Sequence, residues 1–145
     1  MSARMQSSRR IVHRGFTLLE LLVVLVILGL LAAVAGPRVI GYVGGAKSDT
    51  AKIQLEEFAS ALDLYRLEVG RYPTTQEGLD AMVKAPAGAT GWNGPYLKKK
   101  AVPKDPWGND YHYTAPGQHG PFDISSLGAD NKEGGEGENK DVTNW

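Results

Sequence analysis

The feature that most constrains this chain is residues 16–36, FTLLELLVVLVILGLLAAVAG, an apolar run holding a single carboxylate, preceded by residues 1–15 with four arginines and no acid. As a helix rising about 1.5 Å per residue, the run reaches roughly 30 Å, the thickness of a bilayer core. It is long enough to span. An ordinary secretory signal has a shorter apolar region before a small-residue cleavage site, for which Ala33 to Ala35 would serve. The arginines predict that the N-terminus stays cytoplasmic and that everything after Pro37 faces the other side.

The remaining length bounds the rest. A chain of 145 residues supports one modest domain outside the apolar run. Arg4, Arg9, Arg10 and Arg14 all precede Phe16, so of 16 basic residues 12 remain beyond Gly15, against 16 acidic ones. That part is acidic. The one compact basic run, Lys98 to Lys100, has no companion basic stripe or stacking aromatics, and reads as a solvated loop instead of a nucleic-acid surface. With no cysteine, the chain has no disulfide, zinc-thiolate site or thiol nucleophile.

Pro37 lacks a backbone donor and is expected to loosen a helix at its boundary without necessarily ending it. Beyond it, Ala51, Leu55, Phe58, Leu62, Tyr65 and Val69 recur at spacings of four and three, one face of a helix, with Glu56, Asp63 and Arg66 opposite. Gly70 is the expected stop. Thr74 and Glu77 fit a capping box, which predicts a short helix from about Thr75 to Lys84 with Leu79, Met82 and Val83 inward. Residues 87–95 read as loop. After the turn-forming Asp105-Pro106-Trp107-Gly108, Tyr111 and Tyr113 alternate with His112 and Thr114 as in a strand, with residues 120–127 as the partner strand. Residues 128–145 are glycine-rich and acidic, ending on an aromatic.

Two places suggest function. Glu20 lies five residues into the apolar run, where a charge near mid-membrane costs on the order of 3 kcal/mol and less near the interface, so it needs a partner or a shallow position. A shallow Glu20 would also favour the helix dipole. The acidic stretch from Leu127 to Asp141 offers the carboxylates and carbonyls a hard cation takes, but lacks EF-hand spacing; from composition a solvated loop and a metal site both stay open. No catalytic set emerges: His13, His112 and His119 have no evident nucleophile partner, and no serine sits in a nucleophile elbow.

Gly15-Phe16-Thr17-Leu18-Leu19-Glu20, between a basic leader and an apolar helix, resembles the prepilin motif of the type IV pilin-like superfamily. Arg71-Tyr72-Pro73-Thr74-Thr75-Gln76-Glu77-Gly78-Leu79, Asp105-Pro106-Trp107-Gly108-Asn109, Gly120-Pro121-Phe122-Asp123 and Ser126-Leu127-Gly128-Ala129-Asp130 are similar, in order and spacing, to the major pseudopilin family of type II secretion. The missing cysteine pair departs from type IVa pilins. The resemblance implies cleavage between Gly15 and Phe16 by a prepilin peptidase, N-methylation of Phe16, and assembly through Glu20. It implies one structural calcium ion held by the Leu127 carbonyl and Asp130, with a second carboxylate among Glu136, Glu138 and Asp141, Glu138 favoured. Implied partners are further copies of the chain, the peptidase/methyltransferase, minor pseudopilins and an inner-membrane assembly platform.

The expectation is therefore an α+β, pilin-like protein: a leader over 1–15, a membrane or filament-core half-helix over 16–36, an amphipathic half over 37–70, and a periplasmic head over 71–145 with a short helix and an antiparallel sheet. Its expected role is structural, in a filament that moves proteins across the outer membrane. The alternatives are a type IV pilus subunit, a secreted calcium-dependent binding module and, least favoured, a membrane enzyme.

Overall fold

The computed structural model describes residues 15–145, leaving aside the side chains of residues 37–42. The predicted leader therefore lies, except for Gly15, outside the described residues. The chain divides into two compact units, one ending at Arg38 and one comprising Val39–Trp145.

A single helix, α1, is assigned from Leu18–Val69. Its first part, Leu18–Gly36, has a mean hydropathy of 3.0 and none of it is buried. It is apolar all round, so no face distinguishes itself as a core stripe, and length and composition suit a membrane span. Pro37 does not end the helix, because losing one donor removes one rung while the flanking bonds remain. The two units divide just after it. Gly70 ends α1 as expected, its N–H donating to the Arg66 carbonyl at 2.8 Å.

In the second unit the heptad-like stripe is the core. Ala51, Leu55, Phe58, Leu62 and Tyr65 are buried, Val69 is half-buried, and Glu56, Asp63 and Arg66 are exposed. Burying each large side chain contributes roughly 1.5–3 kcal/mol. The stripe packs against Leu79, Ala81, Met82, Tyr111, Tyr113, Phe122, Ile124 and Val142. Edge-to-face rings lock the contact, with centroids 5.0 Å apart for Phe58 and Tyr111 and 4.9 Å for Tyr72 and Phe122.

The short helix expected over Thr75 to Lys84 is present only in part, as a 3₁₀ helix. The capping box closes one turn, with Gly78 N–H donating to the Thr74 carbonyl at 2.9 Å, and then Gly78 takes φ 61°, a left-handed conformation that breaks the α ladder. Only a 3₁₀ helix follows, Leu79–Met82. This reorients the side chains, so that Ala81 is buried with Leu79 and Met82 while Val83 is half-buried.

The sheet has three antiparallel strands in the order β1 (His112–Thr114), β2 (Asp123–Ser126), β3 (Val142–Thr143). Tyr113 faces Ile124 across β1 and β2, both buried, and His112 faces Ser125 on the other side. The partner strand is shorter than the expected 120–127, because Asp123 turns back to accept bonds from the amides of Gln118 and His119. β3 lies in the C-terminal stretch just past the acidic loop, where no strand was expected: Val142 pairs with Ser126 and buries its side chain, tying that loop at both ends. A two-residue strand has too little alternation to show in sequence.

Candidate functional site

The N-terminal junction is open. Among the described residues, none comes within 4 Å of where a side chain on Gly15 would begin, and Phe16 is exposed. Helix α1 then starts on a capping box that the sequence spells as Thr-Leu-Leu-Glu: Glu20 N–H donates to Thr17 Oγ1 at 3.1 Å, and Thr17 N–H donates to Glu20 Oε2 at 3.3 Å. Glu20 thus satisfies local backbone donors while remaining exposed. Among the described residues no cation pairs with it.

The C-terminal loop places the five candidate ligands unequally. Asp130 is exposed, with Oδ1 accepting from Lys132 N–H at 3.3 Å. Glu136 is exposed and precedes a 3₁₀ turn, Gly137–Asn139. The side chain of Glu138 lies against α1, where a Cβ on Gly44 would collide with it. Asp141 is half-buried; its Oδ2 accepts from Gly134 N–H at 2.9 Å, while its buried Oδ1 has no hydrogen-bond partner among the described residues. Leu127 directly follows β2 and is half-buried. Among the described residues, no three His, Cys, Asp or Glu side chains converge on one point.

The sequence missed the polar network beneath that loop. Asp105 is buried; its Oδ1 accepts from Trp107 N–H at 3.0 Å and Asn109 N–H at 2.8 Å, and its Oδ2 accepts from the buried Ser126 hydroxyl at 2.6 Å. A buried carboxylate needs such donors. The signal available was Asp at the first position of a turn, which marks an Asx-type bond but not its long-range partner. Sequence also missed the stacking of His119 on Trp145, centroids 4.2 Å apart, beside the 3.0 Å contact of His119 Nδ1 with Asp123. Burial opposes ionisation of Asp123, but hydrogen bonds from the His119 ring and the amides of Gln118 and His119 hold its carboxyl below the usual range. Lys98 to Lys100 are exposed.

Comparison with known proteins resolves what these features belong to. The family model for type II secretion system protein G matches residues 38–145, and that for the prokaryotic N-terminal methylation motif matches residues 12–36. This chain belongs to the type II secretion system protein G family. It is 52% identical to the type II secretion system core protein G of Pseudomonas aeruginosa, over 90% of this chain and 94% of that one. It is 46% identical to its counterpart in Vibrio cholerae, over 90% of each. The crystal structure of the major pseudopilin from the type 2 secretion system of enterohaemorrhagic Escherichia coli superposes with a TM-score of 0.63 at 35% identity, covering 73% of this chain and 88% of that one. The pilin-like α+β fold expected from sequence is thereby established.

Proposed function

We propose that this chain is the major structural subunit of a type II secretion pseudopilus and not an enzyme. The observation that carries the reading is an exposed apolar half-helix whose one carboxylate, Glu20, has no cationic partner among the described residues. Such a helix is stable only where lipid or other apolar helices surround it. The span Leu18–Gly36 holds the precursor in the inner membrane with the second unit on the periplasmic side. Prepilin peptidase cleaves between Gly15 and Phe16, and Phe16 is N-methylated. On assembly the half-helices exchange lipid for one another, and Glu20 meets the terminal amine of Phe16 on a neighbouring copy. Two opposite charges gain strongly in low dielectric, where each alone is costly. Growth of the filament, with minor pseudopilins at the inner-membrane platform, drives export.

The same proposal includes one structural calcium ion in the C-terminal loop. The residues suit it in part. The buried Oδ1 of Asp141, unpartnered among the described residues, is an oxygen that a cation would satisfy, and calcium takes carboxylate, carbonyl and water oxygens together. The Leu127 carbonyl, Asp130 and Asp141 would hold the ion; Glu138, turned toward Gly44, fits less well, and Glu136 is the remaining candidate among the loop's carboxylates. Bound there, the ion would offset part of the loop's acidic charge and tie its two ends.

N-terminal sequencing of material from cells with the peptidase tests the central reading. The mature chain should begin at Phe16, and Gly15→Leu should leave full-length precursor in the membrane. A variant still trimmed to Phe16 overturns the processing assignment.

A further inference from the structure

The turn Asp105-Pro106-Trp107-Gly108-Asn109 is wired to the start of the acidic loop through one peptide plane. The Ser126 hydroxyl donates to Asp105 Oδ2 at 2.6 Å and accepts from Gly128 N–H at 3.3 Å. Gly128 N–H and the Leu127 carbonyl belong to the same trans peptide, so fixing the N–H in one direction aims the carbonyl in the opposite one. The other side of Gly128 is held as well, because Asn109 Nδ2 donates to the Gly128 carbonyl at 3.1 Å. None of these bonds takes the Leu127 carbonyl. Gly128 itself has φ 66°, and a Cβ there would fall 2.7 Å from the Glu138 carbonyl, so the backbone conformation is set from both sides.

Asp105 is in turn held by its own burial and bonds. It is 4% exposed and Ser126 is fully buried, and the Asp105 amide donates to the Asn109 carbonyl at 2.8 Å, closing the turn on itself. A buried carboxylate with three donors, and no cation beside it among the described residues, bears a large cost if it moves away from them.

We propose that Asp105, Ser126 and Asn109 are positioning residues that aim the Leu127 carbonyl into the cation site. The proposal rests on the calcium reading above. Residues that orient a ligand without touching the metal change affinity by roughly tenfold to a hundredfold when removed, since the ligand must then be ordered on binding. The turn is thus more than a packing corner: it lends rigidity to a loop whose own sequence is glycine-rich.

The test is calcium affinity of the full-length protein in detergent micelles, read from melting midpoints across calcium buffers and in excess chelator. Ser126→Ala and Asn109→Ala should each raise the calcium dissociation constant at least tenfold. Thr75→Ala, which removes hydrogen bonds to Ala115 on the far side of the sheet, controls for general destabilisation: it should lower the midpoint with and without calcium and leave the dissociation constant unchanged. Should Ser126→Ala fail to melt cooperatively, the half-buried Asn109 carries the measurement alone. Dissociation constants within twofold of wild type in the folded variants overturn the positioning role while leaving the calcium site standing. A wild-type midpoint indifferent to calcium overturns both.

Discussion

The chain uses the same four-residue device twice, and the two copies end differently. Thr17-Leu-Leu-Glu20 and Thr74-Thr-Gln-Glu77 each close reciprocal threonine and glutamate bonds to backbone amides, at 3.1 and 3.3 Å in the first and 3.2 and 2.8 Å in the second. The first opens a helix of 52 residues; the second supports one turn before Gly78 diverts the chain. A cap satisfies the orphan donors of a helix start but does not determine how far the helix continues. Their carboxylates differ as much. Glu77 is gripped by both terminal nitrogens of Arg71, at 2.6 and 2.7 Å, whereas Glu20 is exposed on an apolar surface. One glutamate is committed to the fold, and the other is the one proposed above to serve a second chain.

The largest effect should separate those roles outright. Glu20→Ala should abolish filaments in a reconstituted system while leaving the melting of the second unit unchanged, and Glu77→Ala should do the reverse, assembling from a less stable head. Wild-type filament yield from Glu20→Ala would erase the distinction. A smaller effect sharpens the contrast between the ends of the acidic loop. Wild type should gain about 2.7 kcal/mol at a hundred times the calcium dissociation constant. Asp130→Ala and Asp141→Ala should lose that gain, and Glu136→Ala should keep it; calcium-dependent melting of an Asp141→Ala protein equal to wild type would remove Asp141 from the site.

Next in size is the Arg71 grip itself. Losing the cap and a partly exposed ion pair should cost Glu77→Ala about 1–2 kcal/mol, or roughly 5 °C in melting. Smallest is its pH dependence. The Arg71 guanidinium, outweighing the effect of burial and aided by the Thr74 amide and hydroxyl, lowers the Glu77 carboxyl to about 2. A depressed folded-state value means the unfolded chain takes up protons first, so this stability is present above about pH 4.3 and is lost as pH falls toward 2. In chelator, the gap in unfolding free energy between wild type and Glu77→Gln should therefore be flat above pH 5 and narrow below about pH 4.3. A gap that widened on acidification would show that Arg71 is not what stabilises the carboxylate.

These contrasts show where sequence reading reached. The apolar span, the buried stripe from Ala51 to Tyr65, the stop at Gly70, the capping box at Thr74 and the tyrosine strand were all legible, because each depends on residues within a few positions of one another. The Thr17 box obeys the same spacing, and it lies inside an apolar run whose dominant signal is the single carboxylate. The helix after Thr74 was misjudged because Gly78 can occupy either side of φ, and only the position of Leu79 and Met82 in the core selects the positive one.

By itself, the sequence determined the periodicities, the charge partition and the order of motifs that place this chain in its family, since those are properties of near neighbours and of composition. Tertiary structure alone decided that Val142 pairs with Ser126, that Ser126 and Asp105 share a buried hydrogen bond, and that Asp141 carries an unsatisfied oxygen while Glu138 turns toward Gly44. Those contacts join residues up to 94 positions apart, as between Gly44 and Glu138. No local pattern encodes them, because which buried polar atoms meet is settled only when the whole core closes and each must find a partner or bear the cost of desolvation.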